Sequence, residues 1–128
     1  MLALPSLKNA LLAAAVCATL CGLAPVVSAA PPSYTYDMTP YETMAKESLK
    51  LVAAGDMNGA LKKAQELEAK WDGETADLRG KDGELWSEID GQMDVAIAAL
   101  MTTDAKKATA ELNSYLEKVA RVPKPQKK

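Results

Sequence analysis

Seventeen carboxylates and not one histidine decide which chemistries are open to this 128-residue chain. Asp90 and Asp94 stand four residues apart, a spacing that stacks two acids on one helix face. Such a pair can do general acid–base work. It also needs a deep cleft, which a small domain of alanine-rich helices does not build, so the pair reads as a solvated face. Ser33, Ser48, Ser87 and Ser114 have neither a histidine base nor a glycine-framed elbow, so nucleophilic hydrolysis has no machinery. Without imidazole, a di-iron bundle lacks its Glu-x-x-His ligands, and haem lacks its commonest axial donor. Zinc is excluded on the same ground once the cysteines are placed below. A calcium loop counted from Asp72 puts Asp77 where glycine belongs and Gly83 where the bidentate glutamate belongs. Asp72, Glu74, Asp77 and Asp82 therefore read as a solvated acidic loop. Met38, Met44, Met57, Met93 and Met101 do not cluster at the close spacings a Cu(I) site needs, and they read as core filler. The expectation is a protein with no catalytic residue, no metal ligand and no cofactor.

The two tryptophans are the remaining candidates. Trp71 closes one predicted helix and Trp86 opens the next, so both flank the acidic loop. They either plug that end of the core or line a groove for a partner, and Trp71 and Trp86 are the residues to inspect for binding. Nucleic acid is not expected as a ligand, because residues 30–120 hold all 17 acids against 10 basic residues. Four basic residues follow in Arg121–Lys128, too few for a firm lipid anchor.

These side chains sit behind an export signal. Lys8 is the only charged side chain before Ala30, and residues 10–23 are an uncharged apolar run broken by Gly22 and Pro25. That run is shorter than the roughly 20 residues that cross a bilayer. Val27-Ser28-Ala29 then supplies a signal-peptidase site. Cleavage between Ala29 and Ala30 is preferred, since a cut after Ala30 would leave Pro31 directly beyond the scissile bond. Cys17 and Cys21 both lie inside this signal, preceded by Val16 and Leu20 rather than by the small residue a lipoprotein needs. The mature chain is expected to carry no thiol, no disulfide and no transmembrane span, and to reside in the periplasm.

The elements that position the side chains follow from period and punctuation. Residues 30–38 read as a mobile proline-led linker. Thr39-Pro40-Tyr41-Glu42 reads as a capping box with proline at the first helical position, opening a helix to about Ala54. Gly55 stops it, and Asp56 caps a second helix from Met57 to about Trp71. Asp72–Gly83 reads as a loop, with a short helical turn near Thr75–Leu78. A third helix starts at Asp82 or Glu84, and Thr103 or Asp104 caps a fourth that ends near Val119. Apolar stripes run through Tyr41, Ala45, Leu49 and Val52; Ala60, Leu61, Ala64, Leu67 and Trp71; Trp86, Ile89, Met93, Ile97 and Leu100; and Ala108, Leu112, Tyr115, Leu116 and Val119. An offset of 48 aligns Asp56 with Asp104 and Leu49 with Ile97, although identities across the two halves stay near chance. Pro123 and Pro125 bar continuation, so residues 121–128 read as a disordered basic tail.

The stretches AAGDMNGALKKAQELEAKWD and LWSEIDGQMDVAIAALMTTDAKKATAELNSYLEKV resemble small secreted bacterial helical proteins of unassigned function. The Gly-Asp turn is similar to that of helical-hairpin repeat proteins, but the Trp-Leu-Gly-Tyr pattern of tetratricopeptide repeats is missing. No functional residue follows from the resemblance. The sequence thus points to an all-α antiparallel bundle of four helices built from two helical hairpins, spanning 39–120 behind a cleaved signal peptide over 1–29. Its expected role is that of a non-catalytic interaction or accessory module of the periplasm, working on an unknown envelope protein. The alternative is a periplasmic protein binding a small ligand or metal ion. Alanine-rich stripes bury little area per residue, so a homodimer through the helix faces is a further expectation.

Overall fold

The computed structural model describes residues 33–127, so the expected signal peptide and its junction at Ala29 and Ala30 lie outside the described residues. The described chain is all-α, with five helices: α1 (Thr39–Ala53), α2 (Met57–Glu74), α3 (Ala76–Lys81), α4 (Gly83–Met101) and α5 (Ala105–Val119). None of them is long and apolar enough to cross a membrane. α1 packs chiefly on α2 and α4 chiefly on α5, while α1 also meets α5 and α2 also meets α4. The short α3 lies against α4.

The turns from α1 to α2 and from α4 to α5 are local solutions to the unpaired groups at helix ends. After α1 the Asp56 amide donates to the Leu51 carbonyl (2.9 Å) and the Gly55 amide to Val52 (3.0 Å), the paired bonds of a Schellman motif. Gly55 takes φ +80, and Asp56 then caps α2 by accepting from the Gly59 amide at 2.8 Å. Asp104 caps α5 in the same way from the Lys107 amide at 3.0 Å. Between α4 and α5 the left-handed position falls on Thr103, at φ 59.

Three expected boundaries need correction. Met38, not Thr39, is the N-cap of α1, and no capping box forms. Met38 is 1% exposed, and burying it starts the helix one residue early. The Asp37 carboxylate takes over the polar role, accepting from the Thr39 amide at 3.0 Å. The Thr39 hydroxyl and then that amide hold Asp37 below the usual aspartate range.

The stretch Asp72–Gly83 is not a loop. α2 continues to Glu74, α3 follows, and only Thr75 and Asp82 break the helical run. Leu78 is wholly buried, and Thr75 donates its hydroxyl to the Trp71 carbonyl at 2.7 Å.

Finally, neither terminal segment stands free of the helices. Tyr36 donates its amide to the Pro123 carbonyl at 2.8 Å, Val122 is buried, Arg121 pairs with Glu88, and Lys124 pairs with Glu42. Two apolar anchors, Met38 and Val122, draw the segments in, because leaving either in water forfeits about 1.5–3 kcal/mol of burial.

Candidate functional site

The tryptophan end is a closed aromatic assembly. Trp71 on α2 and Trp86 on α4 stack with centroids 5.8 Å apart and planes at 21°, and Tyr41 on α1 meets Trp71 edge-on at 5.6 Å. Trp71 is wholly buried. The Trp86 indole donates to the Thr75 hydroxyl at 2.6 Å, and the Arg79 guanidinium covers its ring at 4.9 Å. The rim is tied as well: Tyr36 donates to the Glu74 carbonyl at 2.9 Å and Lys70 pairs with the Glu74 carboxylate. Burial, with the neighbouring Tyr36 and Glu74, pushes the Tyr41 phenol up. The structure thus brings Trp71 and Trp86 together, as expected. Yet Trp71 offers a ligand no surface, and Trp86 offers only what Arg79 leaves uncovered.

One helical turn on either side, a different feature appears. Glu68 and Asp72 on α2 sit at i,i+4, as do Asp90 and Asp94 on α4, and the α2–α4 contact brings the two pairs to one seam. Partial burial raises Glu68 above the usual glutamate range, and the charges of Asp94, Asp72 and Asp90 raise it further. Partial burial likewise raises Asp90, reinforced by Asp94 and Asp72 and opposed by the Trp71 indole and by Arg79. Among the described residues none of these four acids takes part in an ion pair, whereas Lys46, Lys63, Lys70, Arg121 and Lys124 are all paired with other carboxylates. The wholly buried Trp71 indole lies beside the Asp90 carboxylate and helps hold it ionised.

Among the described residues no group of three or more acids, cysteines or histidines is arranged to hold a metal ion. The four carboxylates are spread along two helices rather than aimed at one point. Asp90 and Asp94 belong to this seam, but Glu68 was not singled out by sequence, and Asp72 only as part of the supposed loop. One i,i+4 acid pair bracketing Trp71 and another beginning four residues after Trp86 are the pattern that could have found them.

A second concavity of about 330 Å³ lies between the N-terminus of α4 and the terminal segments, lined by Tyr34, Asp82, Glu84, Leu85, Glu88, Arg121 and Pro123. Its polar groups are largely engaged with one another. Tyr34 donates to Asp82 at 2.9 Å, Asp82 caps α4 through the Leu85 amide at 3.0 Å, and Arg121 pairs with Glu88. Burial and the bond to Asp82 push the Tyr34 phenol up to about 12. Comparison with family models, with curated proteins and with solved structures finds no match to this chain.

Proposed function

We propose that the chain is an exported, non-catalytic interaction module of the periplasm that docks a cationic envelope protein through its α2–α4 face. In this reading the signal peptide over 1–29 is removed at the Ala29–Ala30 bond, and the four long helices work as an antiparallel four-helix bundle of two hairpins. The observation that carries it is the seam of Glu68, Asp72, Asp90 and Asp94, with which no cation of the described residues forms an ion pair. Like charges held together at a partly exposed seam cost stability, and complementary charge on a partner both removes that cost and steers the encounter. The missing histidine and the absence of any thiol after residue 21 support a non-catalytic role. The resemblance to small exported helical proteins agrees with the compartment.

The test is capture from an envelope extract with the wild-type protein and with a variant carrying Glu68→Gln, Asp72→Asn, Asp90→Asn and Asp94→Asn. A protein retained by the first and lost from the second, with both equally helical by circular dichroism, is the expected result. Capture of no partner by the wild type overturns the reading. Fractionation of the producing cell, with N-terminal sequencing that finds Ala30, tests the compartment and the cleavage site together.

A further inference from the structure

We infer that the groove holding residues 33–37 is a peptide-binding site, filled in this structure by the chain's own segment and open to an extended Tyr-x-Tyr segment of another protein. The inference does not rest on the acid seam. Residues 33–38 are non-helical before α1, and their burial alternates. Tyr34, Tyr36 and Met38 turn toward the core, while Ser33, Thr35 and Asp37 stay exposed. A period of two is the mark of an extended segment laid on a surface. Recognition of that kind takes affinity from main-chain bonds and specificity from seats for alternate side chains. Both are present. The Tyr36 amide donates to the Pro123 carbonyl at 2.8 Å. The Tyr36 phenol donates to the Glu74 carbonyl at the end of α2 at 2.9 Å, and the Tyr34 phenol to the Asp82 carboxylate ahead of α4 at 2.9 Å. Three acceptors from three separate parts of the chain thus meet one segment, through groups that any Tyr-x-Tyr peptide carries.

The groove is longer than the segment that fills it. The concavity of about 330 Å³ adjoins Tyr34 but not Tyr36, and it runs between Pro123, Arg121 and the first turns of α4. Two of its acids are engaged, Asp82 by Tyr34 and Glu88 by Arg121. Glu84 forms no ion pair among the described residues. A basic residue ahead of the first tyrosine finds both room and a counter-charge there. Displacement need not disturb the core. Met38 is buried as the N-cap of α1, whereas Tyr34 and Tyr36 are only half-buried and leave at smaller cost. Tethered at Met38, the segment acts as a built-in competitor at an effective concentration of roughly millimolar order.

The experiment titrates the purified protein into a fluorescently labelled peptide, Lys-Ser-Tyr-Thr-Tyr-Asp, and follows anisotropy. Wild type is expected to bind weakly, because its own segment holds the groove. Tyr34→Ala/Tyr36→Ala empties the groove without touching the three acceptors and is expected to bind roughly tenfold or more tighter. Tyr34→Phe/Tyr36→Phe keeps the rings, loses the phenol bonds and is expected to fall between the two, with circular dichroism checking the helices of both variants. The same peptide with alanine at both tyrosines is expected not to bind, and Glu84→Gln in the alanine variant to weaken binding several-fold. No saturable binding to either folded variant, an affinity no better than that of wild type, or undiminished binding of the alanine peptide overturns the inference. An affinity unchanged by Glu84→Gln overturns the place given to the basic residue. The variant lacking the four seam charges is expected to bind the peptide as wild type does, so this groove and the seam stand or fall separately.

Discussion

The two ends of the helical unit solve the same packing problem with opposite materials. Near the two hairpin turns the buried cluster is Val52, Ala60, Ala64, Ala96, Ala99, Leu100, Ala108 and Leu112. Small side chains let the backbones approach, and the turns allow nothing wider. Ser48 gains from that closeness, because its buried hydroxyl donates across to the Ala60 carbonyl at 2.9 Å. At the other end the cluster is Met38, Tyr41, Leu67, Trp71, Leu78, Leu85, Ile89, Met93, Tyr115, Val119 and Val122, with one buried alanine, Ala45. No tight turn closes that end, so bulk must, and it borrows α3 and both terminal segments to do so. The acid seam and the Trp71 indole lie at the bulky end.

Two substitutions set the ends against each other. Trp71→Ala is expected to cost about 3–5 kcal/mol by opening a cavity under Trp86 and Tyr41. That is a large share of the roughly 5–15 kcal/mol a domain has in all. Ala108→Leu at the turn end overpacks instead, at about 1–3 kcal/mol. Urea denaturation midpoints compare the two, and a larger loss at Ala108 than at Trp71 would reverse the assignment of the ends. Smaller than either is Val122→Ala, expected to lose roughly 1–2 kcal/mol if the terminal segment is structural. An unchanged midpoint there would return residues 121–128 to a free tail.

The contrast also separates what sequence could reveal from what it could not. The turn end was legible because its signals are local: Gly55, Asp56 and Asp104 each do in the fold what their chemistry dictates, and alanine period marks the stripe. The bulky end was hidden because its anchors have no period. Leu78 sits in a stretch with three glycines and four acids, and Met38 and Val122 are single apolar residues in segments rich in proline or charge. Only tertiary burial gives them meaning. The seam was half legible. Asp90 and Asp94 read correctly as a stacked pair, but an isolated acid pair on a helix looks solvated until the facing pair on α2 is known. Thr75 gave no signal at all, although its hydroxyl joins the Trp86 indole to the Trp71 carbonyl.

The two turns differ at the left-handed position, which yields a smaller effect of the opposite sign. Gly55 occupies the left-handed region without strain, while Thr103, a β-branched residue, holds φ 59 at the equivalent position. A non-glycine residue there costs about 1–2 kcal/mol, partly offset by the greater freedom that glycine has in the unfolded chain. Thr103→Gly is expected to stabilise by about 0.5–1 kcal/mol, and Gly55→Thr to destabilise by about 1–2 kcal/mol. Thermal melts of the pair decide whether the turns are equivalent. If Thr103→Gly is neutral or worse, the bond from the Thr102 hydroxyl to the Ala99 carbonyl, at 2.7 Å, already holds the second turn.

The smallest effect concerns two acids two residues apart on α2, and only its sign matters. Glu66 is held below the ordinary glutamate range by its bond and ion pair with Lys63, at 3.0 Å. Glu68 is held above that range by burial and by the acids of the seam. For Glu66 the folded state binds its proton less readily than the unfolded chain does. Its contribution is therefore present above the ordinary value of 4.5 and is lost as pH falls through the lower folded value. For Glu68 the folded state binds the proton more readily. Its ionisation opposes folding above the raised value, and the opposition fades as pH falls through that value toward 4.5. Glu68→Gln is accordingly expected to stabilise at pH 7 by about 0.2–0.5 kcal/mol, a small figure because the side chain stays largely solvated. The gain should vanish at acid pH. Glu66→Gln should act with the opposite sign at pH 7 and converge on wild type in acid. Denaturation at several pH values reads both. A Glu68→Gln gain that persists in acid would mean that the residue is held by packing rather than by the seam's charge, and the case for a cation at that face would go with it.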